Sequence, residues 1–208
     1  MRRKIGIVCM LLGMLLVLNA ALLFLWNRVE EAKAGEYTRN LMPVIREEIQ
    51  QKCQTSTPVP EISENVPVEL LSPEDLVMTE KEIDGNSYIG YLSIPDLNLD
   101  LPVMADWSYQ KLGLSPCRYS GTLRGKDLVL MAHSYSTHFG QLTKLTEGSR
   151  LQFVDMDGNT WKYEVAVIDI LDPYAVEEMI AGEYDLTLFT CTSNSTHRVT
   201  VRCNKIDM

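Results

Sequence analysis

Leu186-Thr187-Leu188-Phe189-Thr190-Cys191, then Thr192-Ser193-Asn194-Ser195-Thr196-His197, then Arg198-Val199-Thr200-Val201-Arg202-Cys203 form the most informative stretch of the chain. Two runs of apolar and β-branched residues flank six mostly small polar ones, the pattern of two strands joined by a loop. Successive side chains of a strand alternate between its faces. Val199, Val201 and Cys203 therefore share one face, and Arg198, Thr200 and Arg202 the other. If the strands are antiparallel, Cys191 stands across from Arg198 at the mouth of the loop. A guanidinium beside a thiol favours the thiolate, and it can also hold a developing oxyanion or a substrate carbonyl. Such help matters, because a free cysteine with a pKa of about 8.5 is mostly protonated at neutral pH.

A cysteine nucleophile also needs a proton carrier, and the chain has three histidines. His133 follows the apolar run Leu128-Val129-Leu130-Met131-Ala132, where a strand can present a side chain at a sheet edge. His138 lies in the polar stretch beyond it, and His197 lies in the loop beside Arg198. The five cysteines, at 9, 53, 117, 191 and 203, have no paired CxxC spacing, so a structural zinc site and a disulfide scaffold are both disfavoured. Cys9, Cys53, Cys117 and Cys203 are expected to be small buried apolar residues. Arg202 is expected to be a solvated strand charge.

The strand texture begins at Tyr88. Tyr88 to Ile94 is followed by the turn signal Pro95-Asp96 and a second run from Leu97 to Val103. Asp127 to Met131 has the character of a short buried strand. Leu151 to Val154 and Trp161 to Ile170 flank Asp157-Gly158-Asn159, a hairpin turn sequence. Helical signals are brief, around Trp107 to Leu112 and Ala175 to Ile180. Many short strands with turn punctuation predict a mainly β barrel or sandwich.

Upstream, the character changes. Ile5 to Trp26 is an apolar run whose one strongly polar member is Asn19, long enough as a helix to cross a hydrocarbon core of roughly 30 Å. Arg2, Arg3 and Lys4 precede it, which predicts a cytoplasmic N-terminus and an outer location for everything after Trp26. Ala32-Lys33-Ala34 before Gly35 resembles a signal cleavage site. The run is nevertheless longer than a usual signal core of about 7–15 residues, which favours an uncleaved anchor. The expected organisation is a cytoplasmic tail (1–4), a transmembrane anchor (5–26), an amphipathic stalk and Pro/acid-rich linker (27–87) and a catalytic domain (88–208). In the stalk Tyr37, Leu41, Val44, Ile45 and Ile49 recur at helical spacing, with Pro43 expected to kink the helix or mark a start within it. The linker carries Pro58, Pro60, Pro67 and Pro73, with a short helix beginning at Ser72-Pro73-Glu74-Asp75. Packing of the stalk on the domain is left open. The net charge is −9, and the first 26 residues hold three cations and no acids, so residues 27–208 carry −12. Such an acidic surface argues against a nucleic-acid partner.

Thr187-Leu188-Phe189-Thr190-Cys191, with Arg198 seven residues on, resembles the TLxTC…R signature of sortases. His133 in Leu130-Met131-Ala132-His133-Ser134 matches that family's histidine, although Ala132 stands where the family often has glycine. Thr137-His138-Phe139-Gly140-Gln141-Leu142, Ile89-Gly90-Tyr91-Leu92-Ser93-Ile94-Pro95 and Leu101-Pro102-Val103 extend the likeness over about Tyr88 to Ile206. The resemblance implies a closed mixed β-barrel of about eight strands with short helices. It also implies a cysteine transpeptidase acting on secreted proteins with an LPxTG-like C-terminal motif. Cys191 would be the nucleophile, His133 the general acid/base and Arg198 the oxyanion or substrate stabiliser. Ala132 and Thr190 would border the substrate, and His138 would be structural or near the site. The acceptor amine would belong to a cell-wall peptide precursor or to a pilin. With no second apolar segment at the C-terminus and no Asp-Pro-aromatic lid motif, a wall-anchoring enzyme is expected over a pilin polymerase. No metal or organic cofactor is required. Some members respond to calcium, yet the acids here form no EF-hand-like loop. A cysteine peptidase using water and a noncatalytic surface protein are the competing readings.

Overall fold

The computed structural model describes residues 2–55, 72, 76–192 and 194–206. Helix α1 (Arg2–Thr55) is continuous and neither starts nor stops at Pro43. Among the described residues nine strands follow: β1 (Lys81–Ile83), β2 (Asn86–Ile94), β3 (Leu99–Met104), β4 (Cys117–Ser120), β5 (Leu128–Met131), β6 (Arg150–Asp155), β7 (Thr160–Leu171), β8 (Leu186–Cys191) and β9 (Arg198–Lys205). Two short helices, α2 (Tyr109–Leu112) and α3 (Val176–Ile180), fall within the two regions where brief helical signals occur.

The strand order β1-β2-β3-β4-β5-β8-β9-β7-β6, with β6 pairing back to β2, closes β2 to β9 into an eight-stranded barrel and leaves β1 as an added edge. The barrel is mixed: β3–β4 and β5–β8 are parallel, and the other pairs are antiparallel. Closure between β2 and β6 demands a close approach at Gly90. Its φ is 141°, and a Cβ there would collide with the Val154 carbonyl, so only glycine fits the seam.

Alternation along the strands fills the interior. Leu128 and Leu130 of β5, Leu186 and Leu188 of β8, and Val199, Val201 and Cys203 of β9 all face one core, joined by Leu92, Phe153 and Tyr163. The stalk expectation is resolved by packing on the barrel's outside. Leu41, Ile45 and Ile49, spaced four apart on one helix face, bury against Tyr88, Met104, Val154 and Met156. Tyr37 and Tyr88 share a hydroxyl–hydroxyl bond of 2.6 Å, and Arg46 meets Asp100 at 2.6 Å. The N-terminal part of the same helix exposes Leu16, Val17, Leu23 and Trp26. It is long and apolar enough to be a candidate membrane span, with a mean hydropathy of 2.4.

The strands begin at Lys81 rather than Tyr88. Asp84 and Gly85 both take positive φ and make the two-residue turn between β1 and β2, an Asp-Gly hairpin signal inside the span expected to be linker. Strand β4 was also not anticipated. The helix expected from Ser72-Pro73-Glu74-Asp75 lies outside the described residues, apart from Ser72.

Candidate active site

Three strands carry the candidate residues to one end of the barrel. Parallel β5 and β8 pair Leu130 with Leu188 and Met131 with Phe189, and the Ala132 N–H still donates to the Phe189 carbonyl at 3.3 Å. Parallel neighbours exit a sheet at the same edge, so residue 133 leaves β5 where Cys191 ends β8. Antiparallel β8 and β9 pair Cys191 with Arg198, as the hairpin pattern predicts. Val129, Met131 and Phe189 pack together outside the barrel while their neighbours face the core. Continuing that alternation puts His133, Cys191 and Arg198 on the outer face together.

Hydrogen bonds fix this end. The Thr190 hydroxyl donates to the Ala132 carbonyl at 2.8 Å, tying together the ends of the two strands that present the histidine and the cysteine. Thr190 and Ala132, expected at the substrate, are themselves buried, and the visible part they play is this tie. Across the loop mouth the Thr192 N–H donates to the His197 carbonyl at 2.9 Å. Asn194 Oδ1 accepts from the hydroxyls of Thr192 and Thr196 at 2.7 and 2.8 Å, so the turn is held from within.

Electrostatics separate the thiols. Burial pushes the Cys117 thiol up to about 12 and raises that of Cys203 as well, so both stay protonated and inert at neutral pH. Cys191 is half-buried. Cys9 and Cys53 are exposed on α1 rather than buried as expected: Cys9 lies in the apolar N-terminal part, and Cys53, one turn beyond Ile49, sits at the rim of the packed face with its thiol 3.7 Å from the Asp157 carbonyl. Arg198 is half-buried and donates to the His197 carbonyl at 3.3 Å, with no carboxylate pairing it among the described residues. Its charge is therefore uncompensated beside Cys191.

Arg202 is the opposite case and corrects the expectation of a solvated charge. It is 6% exposed, bonds Asp169 at 3.0 Å and the Glu178 carbonyl at 2.7 Å, and stacks over Tyr184. Helix α3 lies over that part of the outer face, so a strand position that alternation marks as outward is still covered.

Burial lowers the pKa of His133, which keeps the imidazole neutral at neutral pH. Tyr135 lies tilted against His133 at 5.0 Å between ring centroids and against His138 at 5.6 Å. His138 is fully buried, with its pKa lowered to about 4 by burial and then by the nearby His133, so it is a neutral structural ring. Alongside the site the rings of Phe189, Tyr119 and Trp107 run in series, at 5.3 and 6.0 Å, out to solvent. This aromatic run was not read from the sequence, since its members lie on three separate segments. Among the described residues no group of three or more His, Cys, Asp or Glu is arranged to hold a metal ion.

Comparison with known proteins identifies the family and the fold. Residues 92–206, more than half of the chain, match the family model described as Sortase domain. Sortase C1 from Streptococcus suis is similar at 32% identity and a TM-score of 0.52, over 58% of this chain and 74% of that one. Sortase C1 from Streptococcus agalactiae is similar at 27% identity and a TM-score of 0.55, over 67% of this chain and 79% of that one. Sortase A from Corynebacterium diphtheriae shares the fold at 22% identity and a TM-score of 0.53, over 87% of this chain and 94% of that one. No sequence match to a curated protein was found.

Proposed function

The chain belongs to the sortase family, and from that premise we propose that it is a membrane-anchored cysteine transpeptidase acting on secreted proteins with an LPxTG-like sorting motif. The observation that carries this is the register: Cys191 paired with Arg198, and parallel β5 ending beside β8.

Cys191 gives its proton to the neutral imidazole of His133 as its sulfur attacks the carbonyl carbon of the motif's threonine. The carbonyl π electrons move to oxygen, and Arg198 stabilises that oxyanion. When the carbonyl re-forms, the threonine C–N bond breaks and the leaving amine takes the proton from His133, leaving a thioester on Cys191. An incoming amine then attacks the thioester carbon and passes its proton to His133; the C–S bond breaks as the new amide forms, and His133 returns the proton to the Cys191 sulfur. The acceptor is an amine of a cell-wall peptide precursor. A pilin lysine is the second reading, suggested by the likeness to the Streptococcus pneumoniae sortase C structure, which is described in terms of pilin substrate specificity.

The test is to incubate the full chain in detergent with LPxTG-type peptides, with and without triglycine or a pilin-type lysine peptide, and to identify the products. Amine-dependent ligation through an acyl group on Cys191 supports the assignment. Hydrolysis unaffected by amine indicates a peptidase, and no acyl enzyme with any motif peptide indicates a noncatalytic surface protein.

A further inference from the structure

We propose that Glu31 is a positioning residue that holds the loop presenting His133, so that helix α1 sets the placement of the acid/base group. This rests on the role given to His133 above.

The loop from His133 to Phe139 must leave β5 and turn at once into the 3-10 segment Phe139–Lys144. It closes on itself through Phe139 N–H to the His133 carbonyl at 3.3 Å, His138 N–H to the Tyr135 carbonyl at 3.0 Å and Gly140 N–H to the same carbonyl at 2.9 Å. The Tyr135 ring lies against both histidines, so a shift of residues 134–138 moves the His133 ring with it.

Helix α1 grips this loop. The Glu31 carboxylate accepts from the Ser136 N–H at 2.7 Å and also from the Ser136 hydroxyl, a contact between residues 105 apart in sequence. On the other side of the same residue, Gln141 Nε2 donates to the Ser136 carbonyl at 2.7 Å. One helical turn further on, Gly35 comes so close that a Cβ there would stand 2.8 Å from Thr137 Cγ2. Hydrogen bonds to an ionised acceptor are stronger than neutral ones, and the Ser136 bonds keep Glu31 ionised by lowering its pKa.

A helix–loop contact can also serve docking alone. Here α1 is already seated by Leu41, Ile45 and Ile49. Tyr37, bonded to Tyr88 on the barrel wall, is the seat closest to Glu31 of those named and still lies about 9 Å from it along the helix at 1.5 Å per residue. Glu31 is therefore a second attachment point, and what it holds is the histidine loop.

The experiment uses the full chain in detergent micelles as wild type, Glu31→Ala, Glu31→Gln, Ser136→Ala and the Glu31→Ala/Ser136→Ala double variant. Amide hydrogen exchange is read over 134–140 and over β8 and β9, and kcat and KM are measured with an LPxTG-type peptide plus triglycine. In Glu31→Ala, exchange over 134–140 rises about tenfold or more while β8 and β9 are unchanged. Because an ångström of misplacement can cost on the order of a hundredfold in rate, kcat falls about 10- to 100-fold with KM within twofold. Glu31→Gln, which keeps an acceptor oxygen, recovers most of the loss, and the double variant is no worse than Glu31→Ala. Exchange equal in Glu31→Ala and wild type overturns the inference whatever the turnover. So does an unchanged kcat, or a loss shared by KM and by β8–β9 protection. A wild-type chain with no turnover overturns the transpeptidase assignment instead, and exchange then decides the tether.

Discussion

Arg198 and Arg202 differ by four residues on one strand and have opposite circumstances. Arg202 is buried and bonded, whereas Arg198 is half-buried with its charge unpaired among the described residues. If Arg198 directs hydrogen bonds at an oxyanion, the point charge of lysine replaces it poorly. Arg198→Lys should then lose about 10²–10³ in turnover, the usual scale for one oxyanion donor, and near-normal turnover would show that charge alone suffices. His138 offers a test of the buried ring. Its pKa is held near 4 in the fold, against about 6.5 for a free histidine, so the unfolded chain binds the proton more readily. Stability tied to it is complete above pH 6.5 and is lost as pH falls toward 4, by about 3 kcal/mol. Urea unfolding at pH 7 and pH 4 should show wild type losing that much more than His138→Leu; equal losses would refute the neutral buried ring. At this scale the pairing of Cys191 with Arg198 was legible because strand alternation and a hairpin are local patterns, whereas the arrival of His133 at the same end rests on the long-range pairing of β5 with β8. The cover over Arg202 was not legible, because α3 and Tyr184 reach it from a separate segment.

The helix and the hairpins show how far local pattern reaches. Hairpin β6–β7 was legible from Asp157-Gly158-Asn159, since the turn's left-handed glycine is written in the sequence. The face of α1 was legible as spacing, but not its destination. Ile45 is fully buried against the barrel while Val44 is 40% exposed. Ile45→Ala should lower the denaturant stability of the full chain by about 2–5 kcal/mol, the usual cost of emptying such a site. Val44→Ala should stay within about 0.5 kcal/mol. Comparable effects from the two would mean that α1 does not dock through this face. Strand β4 escaped notice because its four residues, Cys117-Arg118-Tyr119-Ser120, show no alternation long enough to count.

On the scale of the whole molecule, a single helix is both the candidate membrane span and a packing partner of the barrel. A mature protein that keeps Ile5 to Trp26 should leave a short membrane-bound stub when intact cells are treated with external protease. A mature N-terminus at Gly35 would instead mean cleavage and release, with loss of Glu31 and its bonds to Ser136. Short-range chemistry dictates an apolar anchor-length run, strands by alternation, turns by Asp, Gly and Asn, and a cysteine facing an arginine across one hairpin, and all of these can be read from the amino acids alone. Only the tertiary structure decided the parallel pairing of β5 with β8, the closure of β2 on β6 at Gly90, and the seating of α1 on the outer wall. Each of these joins segments dozens of residues apart. Their cost is loop-closure entropy and their return is burial against surfaces that exist only once the barrel has formed, so no window of sequence contains both sides of the contact.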